Sequence, residues 1–331
     1  MLVLFSYSRR RRTTLGRMRI ALATCSDLPA WEVDDQPLHL ALAELGVEAL
    51  QPRWDDKSFD WTSVSACLIR TTWDYHLRLE EFLTWIDRVQ QQTQLFNPAA
   101  LVRWNTNKLY LRDLADCGVP VIDTVWLERG ASVDLGAVLR ERGWQQGFLK
   151  PLVGATAHGT CRFEDHGDSL ATAQQFLNEF LTREPMQLQP YLKQVETRGE
   201  ESMLFIDGKY SHSVRKIPVP GDYRVQDDFG ATDVRHTHTK AEIDLAKSVL
   251  QRIERNPAWV GPEHRGSLLY ARADWLRDAS GALRMCEFEA VEPCLFFRHG
   301  KEAASQLAEA LVQRVARHSP GDSLSQPHSR D

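Results

Sequence analysis

Three carboxylates near the C-terminus pose the chemical question: Asp274 in one apolar run, and Glu287 and Glu289 in the next. In a strand, residues two apart share a face, so Glu287 and Glu289 point together, and a hairpin partner carrying Asp274 can stand opposite them. Carboxylates gathered on one face repel unless a cation or a basic residue intervenes. Hard oxygen donors at this density suit Mg²⁺, which also binds phosphates; a solvent-facing strand edge would account for the same acids with no ligand at all. Basic residues form a second constellation: Lys108, Lys150, Arg215 and Arg224. Lys150 ends an apolar strand and leads into a small-residue loop containing Gly154 and Gly159. Such a loop lets backbone N–H groups approach phosphate oxygens while a lysine supplies charge, although an ordinary surface turn has the same composition. The run Gln189-Pro190-Tyr191-Leu192 leaves a sheet at a proline that cannot donate in a ladder, and can offer a carbonyl and a later N–H to a flat heterocycle. Glu196, Glu200 and Glu201 follow within reach of a ribose bound there, or form a solvated acidic turn.

The elements that would position these residues can be read from periodicity. Strands over Ile20–Cys25, Val47–Pro52, Ala66–Thr71 and Leu95–Phe96 alternate with helical spacing in Pro37–Leu45 and Leu77–Gln91, the pattern of a small parallel α/β unit. Asn105–Gly118 reads as a helix opened by an Asn cap and closed by Gly. Short strands over Val119–Leu127, Gly147–Val153, Cys161–Phe163 and Met186–Leu192 are interleaved with helices Leu135–Gly143 and Ser169–Leu181. A hairpin over Ser202–Ile217 should turn at Asp207-Gly208. Helix Thr239–Arg255, strands Leu268–Trp275 and Leu283–Ala290, and helix Lys301–Ala316 complete an α+β second part.

Composition narrows the classes. With 40 Lys+Arg against 45 Asp+Glu in 331 residues, the net charge of −5 is no nucleic-acid footprint. No run approaches the ~20 apolar residues of a membrane span. Six scattered cysteines without a C-x-x-C pair argue against a disulfide framework and for a reducing, cytoplasmic setting. No P-loop, nucleophile elbow or dinucleotide fingerprint occurs. His236 and His238 share a strand face but show no evident third ligand, which makes them a surface pair. Trp73 and Tyr75 read as core or pocket wall, while Arg70 and Asp74, at the end of an α/β strand, are candidates for substrate selection.

The order of motifs is more specific than any one of them. Asn-x-Lys near Lys108, Lys150-Pro151 with its loop, Gln189 to Leu192, Gly199-Glu200, Arg215 with Arg224, then Asp274 with Glu287 and Glu289 resembles the ATP-grasp superfamily, especially the ATP-binding part of prokaryotic glutathione synthetases. The N-terminal stretch, with Trp54-Asp55-Asp56, Arg70 to Tyr75 and Val102 to Asn105, is similar to the ATP-grasp cyclo-ligases of cycloserine biosynthesis.

The resemblance implies an ATP-grasp fold, α/β and α+β, with a small N-terminal α/β substrate domain. The expected division is a disordered extension at 1–17, the substrate domain at 18–104, an ATP-grasp domain at 105–317 (lid about 120–190, C-terminal half about 191–317) and a disordered tail at 318–331. It further implies that Lys108 and Lys150 contact ATP and that the loop with Gly154 and Gly159 closes over the triphosphate. Gln189, Pro190, Tyr191 and Leu192 would hold adenine and Glu200 ribose; Asp274, Glu287 and Glu289 would bind Mg²⁺, with Mn²⁺ as the alternative ion. Arg215 and Arg224 would serve the transferring phosphoryl group. The expected activity is ATP-dependent carboxylate–amine ligation, linear or ring-closing, through an acylphosphate on a small amino-acid-like substrate, with release of ADP and phosphate. A phosphotransferase and an ATP-binding protein without turnover are the alternatives. Neither nucleic acid nor membrane is an expected partner, and a homo-oligomer is compatible with the reading.

Overall fold

Apolar residues at helical spacing and continuous apolar strands build the first layer. The computed structural model describes residues 18–26, 28 and 32–318; the expected extension 1–17 and residues 319–331 of the expected tail lie outside them. Strand β1 (Arg19–Thr24), helix α1 (Gln36–Glu44), β2 (Glu48–Leu50), β3 (Ala66–Thr71), α2 (Leu79–Gln92) and β4 (Gln94–Phe96) form a parallel sheet in the order β2-β1-β3-β4. Its central strands are buried from Ile20 to Thr24 and from Ala66 to Thr71, which explains why they read as apolar runs without alternation. Phe82, Trp85, Ile86 and Val89 of α2 face inward and pack with Trp54 and Trp61. Each such side chain contributes about 1.5–3 kcal/mol by burial.

The expected helix over 105–118 is a correction. Helix α3 (Ala99–Asn105) ends at Asn105, a turn carries Lys108, and α4 (Tyr110–Asp116) follows. Asn105 caps no helix start; its buried side chain donates to Phe288 O at 2.7 Å and accepts from Ala290 N at 2.7 Å. It ties the turn that carries Lys108 to the last strand of the large sheet.

The middle layer is antiparallel. Strands β5 (Val125–Leu127), β6 (Gln146–Pro151), β7 (Cys161–Glu164) and β8 (Met186–Pro190) lie in the order β5-β8-β6-β7, covered by α5 (Leu135–Arg142) and α6 (Gly167–Leu181). Only the end of the strand expected over 119–127 forms ladder structure; Val121 makes an isolated bridge to Met285.

After the short α7 (Val195–Arg198), strands β9 (Glu200–Ile206), β10 (Lys209–Ile217) and β11 (Thr232–His236) are followed by α8 (Lys240–Glu254), α9 (Pro257–Val260), β12 (Tyr270–Arg277), β13 (Leu283–Glu289) and α10 (Ala303–His318). The large antiparallel sheet runs β11-β10-β9-β12-β13. Asp207 and Gly208 make the hairpin turn with φ of 51° and 72°, the left-handed region that a tight turn of this hand requires. Strand alternation gives the sheet two different faces. Met203, Phe205, Ala271, Ala273 and Trp275 pack on α8, whose start is fixed by a reciprocal Thr239–Glu242 capping box. On the opposite face, Leu204, Ile206, Val214 and Tyr270 pack toward α10 and the N-terminal layer, and charged residues occupy the rest.

Candidate active site

Those charged residues line a cleft of about 390 Å³ between the middle and large sheets, with Trp73 and Tyr75 of the N-terminal layer at one end. The β12–β13 register sets Asp274 opposite Glu287 and Arg272 opposite Glu289. Asp274 is almost fully buried and accepts from Ser202 Oγ at 2.6 Å and from Arg272 at 2.8–3.1 Å, with Lys216 Nζ 3.4 Å away. Arg272 also pairs with Glu289, and Lys216 with Glu200. Lys108 Nζ lies 2.9 Å from Glu287 and donates to Gly154 O at 2.9 Å, while Lys150 Nζ donates to Cys286 O at 3.3 Å.

The electrostatics follow from this packing. Burial would raise the Asp274 carboxyl, but Arg272 and Lys216 outweigh it and hold it far below the usual range. Burial and the charges of Asp274 and Glu287 push Glu289 up to about 7 against the opposing pull of Arg272. Lys150 is lowered by burial and by Lys108 alongside. Oxygen donors remain for a divalent cation chiefly on Glu287 and Glu289, because both oxygens of Asp274 already accept from cationic side chains. The donor set therefore fits a hard cation, with Asp274 least available to it as the side chains stand.

Gly154, Gln189, Pro190, Tyr191, Leu192, Glu200 and Arg224 also line the cleft. Thr156 and Ala157, within the small-residue loop, have φ of 50° and 54°, a strained choice for residues with a Cβ. Gly159, in the same loop, does not line the cleft; an added Cβ there would meet the Phe180 ring at 3.0 Å. Arg224 is held by Asp222 at 2.7 Å. Of the alternative acids, Glu196 is spent on Arg162 and Tyr191, and Glu201 points to the other face of the sheet.

Three expectations need correction. Arg215 pairs across the ladder with Glu201, not with Glu200, so it stands on the face away from the cleft; Lys216 takes the cleft position. Arg70 is buried and forks onto Asp35 at 2.7 and 3.0 Å, and Asp74 accepts from Trp54 Nε1 at 2.7 Å and Arg78 at 2.8 Å; neither lines the cleft. His236 and His238 do have a third group nearby, Glu201, and His238 is buried. Both Glu201 oxygens, however, accept from Arg277 at 2.7 Å, and His238 bridges Glu201 to Ser213 at 3.0 Å on each side, a self-satisfied network. Sequence reasoning missed Lys216, Arg272 and Glu292 in the cleft. Arg272 was findable, since it lies two residues before Asp274 and so shares its face.

Comparison with known proteins bears on this geometry directly. Residues 20–97 match the family described as D-cycloserine synthetase DcsG, N-terminal domain, and residues 134–261 match the prokaryotic glutathione synthetase ATP-grasp domain. The cycloserine biosynthesis protein DcsG of Streptomyces lavendulae is 31% identical over 305 residues, 89% of this chain and 98% of that protein. The chain belongs to the DcsG-like ATP-grasp ligases. As a member, it is an enzyme that forms C–N bonds with ATP, in a family that uses a divalent metal. The crystal structure of D-cycloserine synthetase DcsG superposes with a TM-score of 0.78 at 29% identity, covering 90% of this chain and 99% of that one. D-alanine–D-alanine ligase from Bacillus anthracis shares the fold, with a TM-score of 0.63 at 14% identity over 91% and 98% of the two chains. Glutathione synthetase of Bordetella parapertussis is 25% identical over 166 residues, half of either protein. The family and fold expected from the motif order are thus borne out. Among the described residues no helix is long and apolar enough to cross a membrane.

Proposed function

We propose that this ligase activates a carboxylate of a small amino-acid-like molecule with Mg-ATP and joins it to an amine, of a second molecule or of the same one. A carboxylate oxygen attacks the γ-phosphorus, the bond to the β-phosphate oxygen breaks, and ADP leaves. The amine then attacks the acylphosphate carbonyl carbon, and phosphate departs with the electrons of the C–O bond while the amine proton passes to solvent. In this reading residues 18–104 form the substrate domain and 105–317 the ATP-grasp domain.

The observation that carries the proposal is the single charged face on which Glu287 and Glu289 keep free oxygens beside Lys108, Lys150, Lys216 and Arg272. Two anions must meet in the first step, and cations held in advance stabilise the charge without reorganising. Lys216 and Arg272 are pinned by Glu200, Asp274 and Glu289, which fixes their positions before substrate arrives. Lys108 and Lys150 face the phosphates from the lid side, and the strained loop from Gly154 to Thr160 covers them. Gln189 to Leu192 hold the adenine edge, Glu200 the ribose, and Arg224 reaches in from the mouth. Glu287 and Glu289, with Asp274, would hold Mg²⁺, which supplies charge neutralisation of the phosphates when bound.

The test is product analysis with a pool of amino acids and small derivatives labelled with ¹⁸O in their carboxylates. Stimulated release of equimolar ADP and phosphate, with one ¹⁸O carried into the phosphate, is the expected result; AMP with pyrophosphate, or unlabelled phosphate, would refute the mechanism.

A further inference from the structure

The acids that the large sheet turns to the cleft each have a basic partner: Glu200 and Asp274 have Lys216, Asp274 and Glu289 have Arg272, and Glu287 has Lys108. Glu292, just beyond the sheet, does not. Its carboxylate lines the cleft and makes no hydrogen bond or ion pair among the described residues. Burial, with Glu289 and Glu287 close by, pushes it up to about 8, so the free protein leaves this group short of positive charge.

Its surroundings indicate which cation fits. Glu292 lies beyond the end of β13, past the candidate metal ligands and on the side of the N-terminal layer. Its backbone carbonyl accepts from Trp73 Nε1 at 3.3 Å, Trp73 and Tyr75 line the same cleft, and its charge acts on Tyr75 more strongly than those of Glu287 or Glu289. A carboxylate flanked by aromatic rings is a poor seat for a strongly hydrated divalent ion. It is a good one for an organic ammonium, which donates to the oxygens and rests its positive charge against a ring.

Resting on the reading of an amino-acid-like substrate, we infer that Glu292 pairs with a substrate ammonium that takes no part in bond formation. A carboxylate stabilises an amine in its protonated form, and a protonated amine has no lone pair with which to attack an acylphosphate. The held group is therefore the bystander, and Glu292 both positions the molecule and protects that amine from acylation.

The experiment compares the wild-type chain with Glu292→Gln and Glu292→Asp, using the pool member that stimulates ADP release and its counterpart with hydroxyl in place of the bystander amine. Glu292→Gln should raise KM for the amino compound about tenfold or more, leave KM for ATP within about twofold, and abolish the preference for amine over hydroxyl. Glu292→Asp should restore part of that preference. Unchanged substrate KM and preference in Glu292→Gln would overturn the inference while leaving the ligase reading intact, as would a shift in Mg²⁺ requirement alone. Loss of ATP affinity in both variants would assign Glu292 a structural role and overturn it too. Failure of any pool member to stimulate the wild type would overturn the substrate reading and this inference with it.

Discussion

The large sheet carries a charge cluster on each of its faces, and Glu200 and Glu201, adjacent in β9, belong to opposite ones. On the cleft face stand Glu200, Lys216, Arg272, Asp274, Glu287 and Glu289; on the back stand Glu201, Arg277, His236 and His238, with Glu242 reaching in from α8. The residue types are nearly the same. The difference is saturation: on the back, Arg277 takes both oxygens of Glu201 and one of Glu242, and the histidines close the remaining gaps. On the cleft face, carboxylate oxygens are left over beside an open volume. What separates a structural ion network from a reactive one here is unmet coordination capacity, not composition.

Breaking the cleft face should show this most strongly. Glu287→Gln keeps the shape of the side chain but removes its charge, and turnover should fall by about 100-fold or more while thermal unfolding stays close to wild type. Steady-state ADP release and a melting curve on the same preparation check both halves; full activity would remove Glu287 from the metal site.

The back face should respond in the opposite way. Glu201→Gln loses charge-assisted bonds from Arg277 and His238 and should cost about 2–3 kcal/mol of stability, with the activity of the folded fraction retained. Burial would raise the Glu201 carboxyl, but the bonds from His238 and Arg277 hold it at about 2 against an ordinary 4.5. Its contribution is therefore complete above pH 4.5 and fades as pH falls toward 2. Denaturant midpoints of wild type and Glu201→Gln should converge on acidification over that window; a constant gap would mean that the charge of Glu201 is not what stabilises the fold.

Much of this layout was legible because it rests on local pattern. The parallel strands appeared as apolar runs, the Asp207-Gly208 turn as a dipeptide suited to positive φ, and the Asp274–Glu287 pairing as hairpin geometry. What was not legible depends on register and on tertiary pairing. From the turn, β10 begins with Lys209 opposite Ile206 and Tyr210 opposite Phe205; uninterrupted, that register would bring Arg215 opposite Glu200. A bulge between Tyr210 and His212 shifts the strand by one residue and delivers Lys216 instead, which reverses the faces of both side chains. Nothing local at Arg215 reveals a bulge several residues upstream. Arg70 and Asp74 stand at a strand end that often binds ligands, yet Asp35, Trp54 and Arg78, distant in sequence, consume their hydrogen-bonding capacity. Glu292 was invisible for the converse reason: it is significant for lacking a partner, and only the assembled cleft shows that.

The most direct measurement is Mg-ATP turnover of Lys216→Met and Arg215→Met side by side. If the charged face of the cleft is where phosphoryl transfer occurs, Lys216→Met should lose about 100-fold or more while Arg215→Met stays within about threefold of wild type. The reverse order, with Arg215 indispensable and Lys216 dispensable, would contradict the assignment of the two faces.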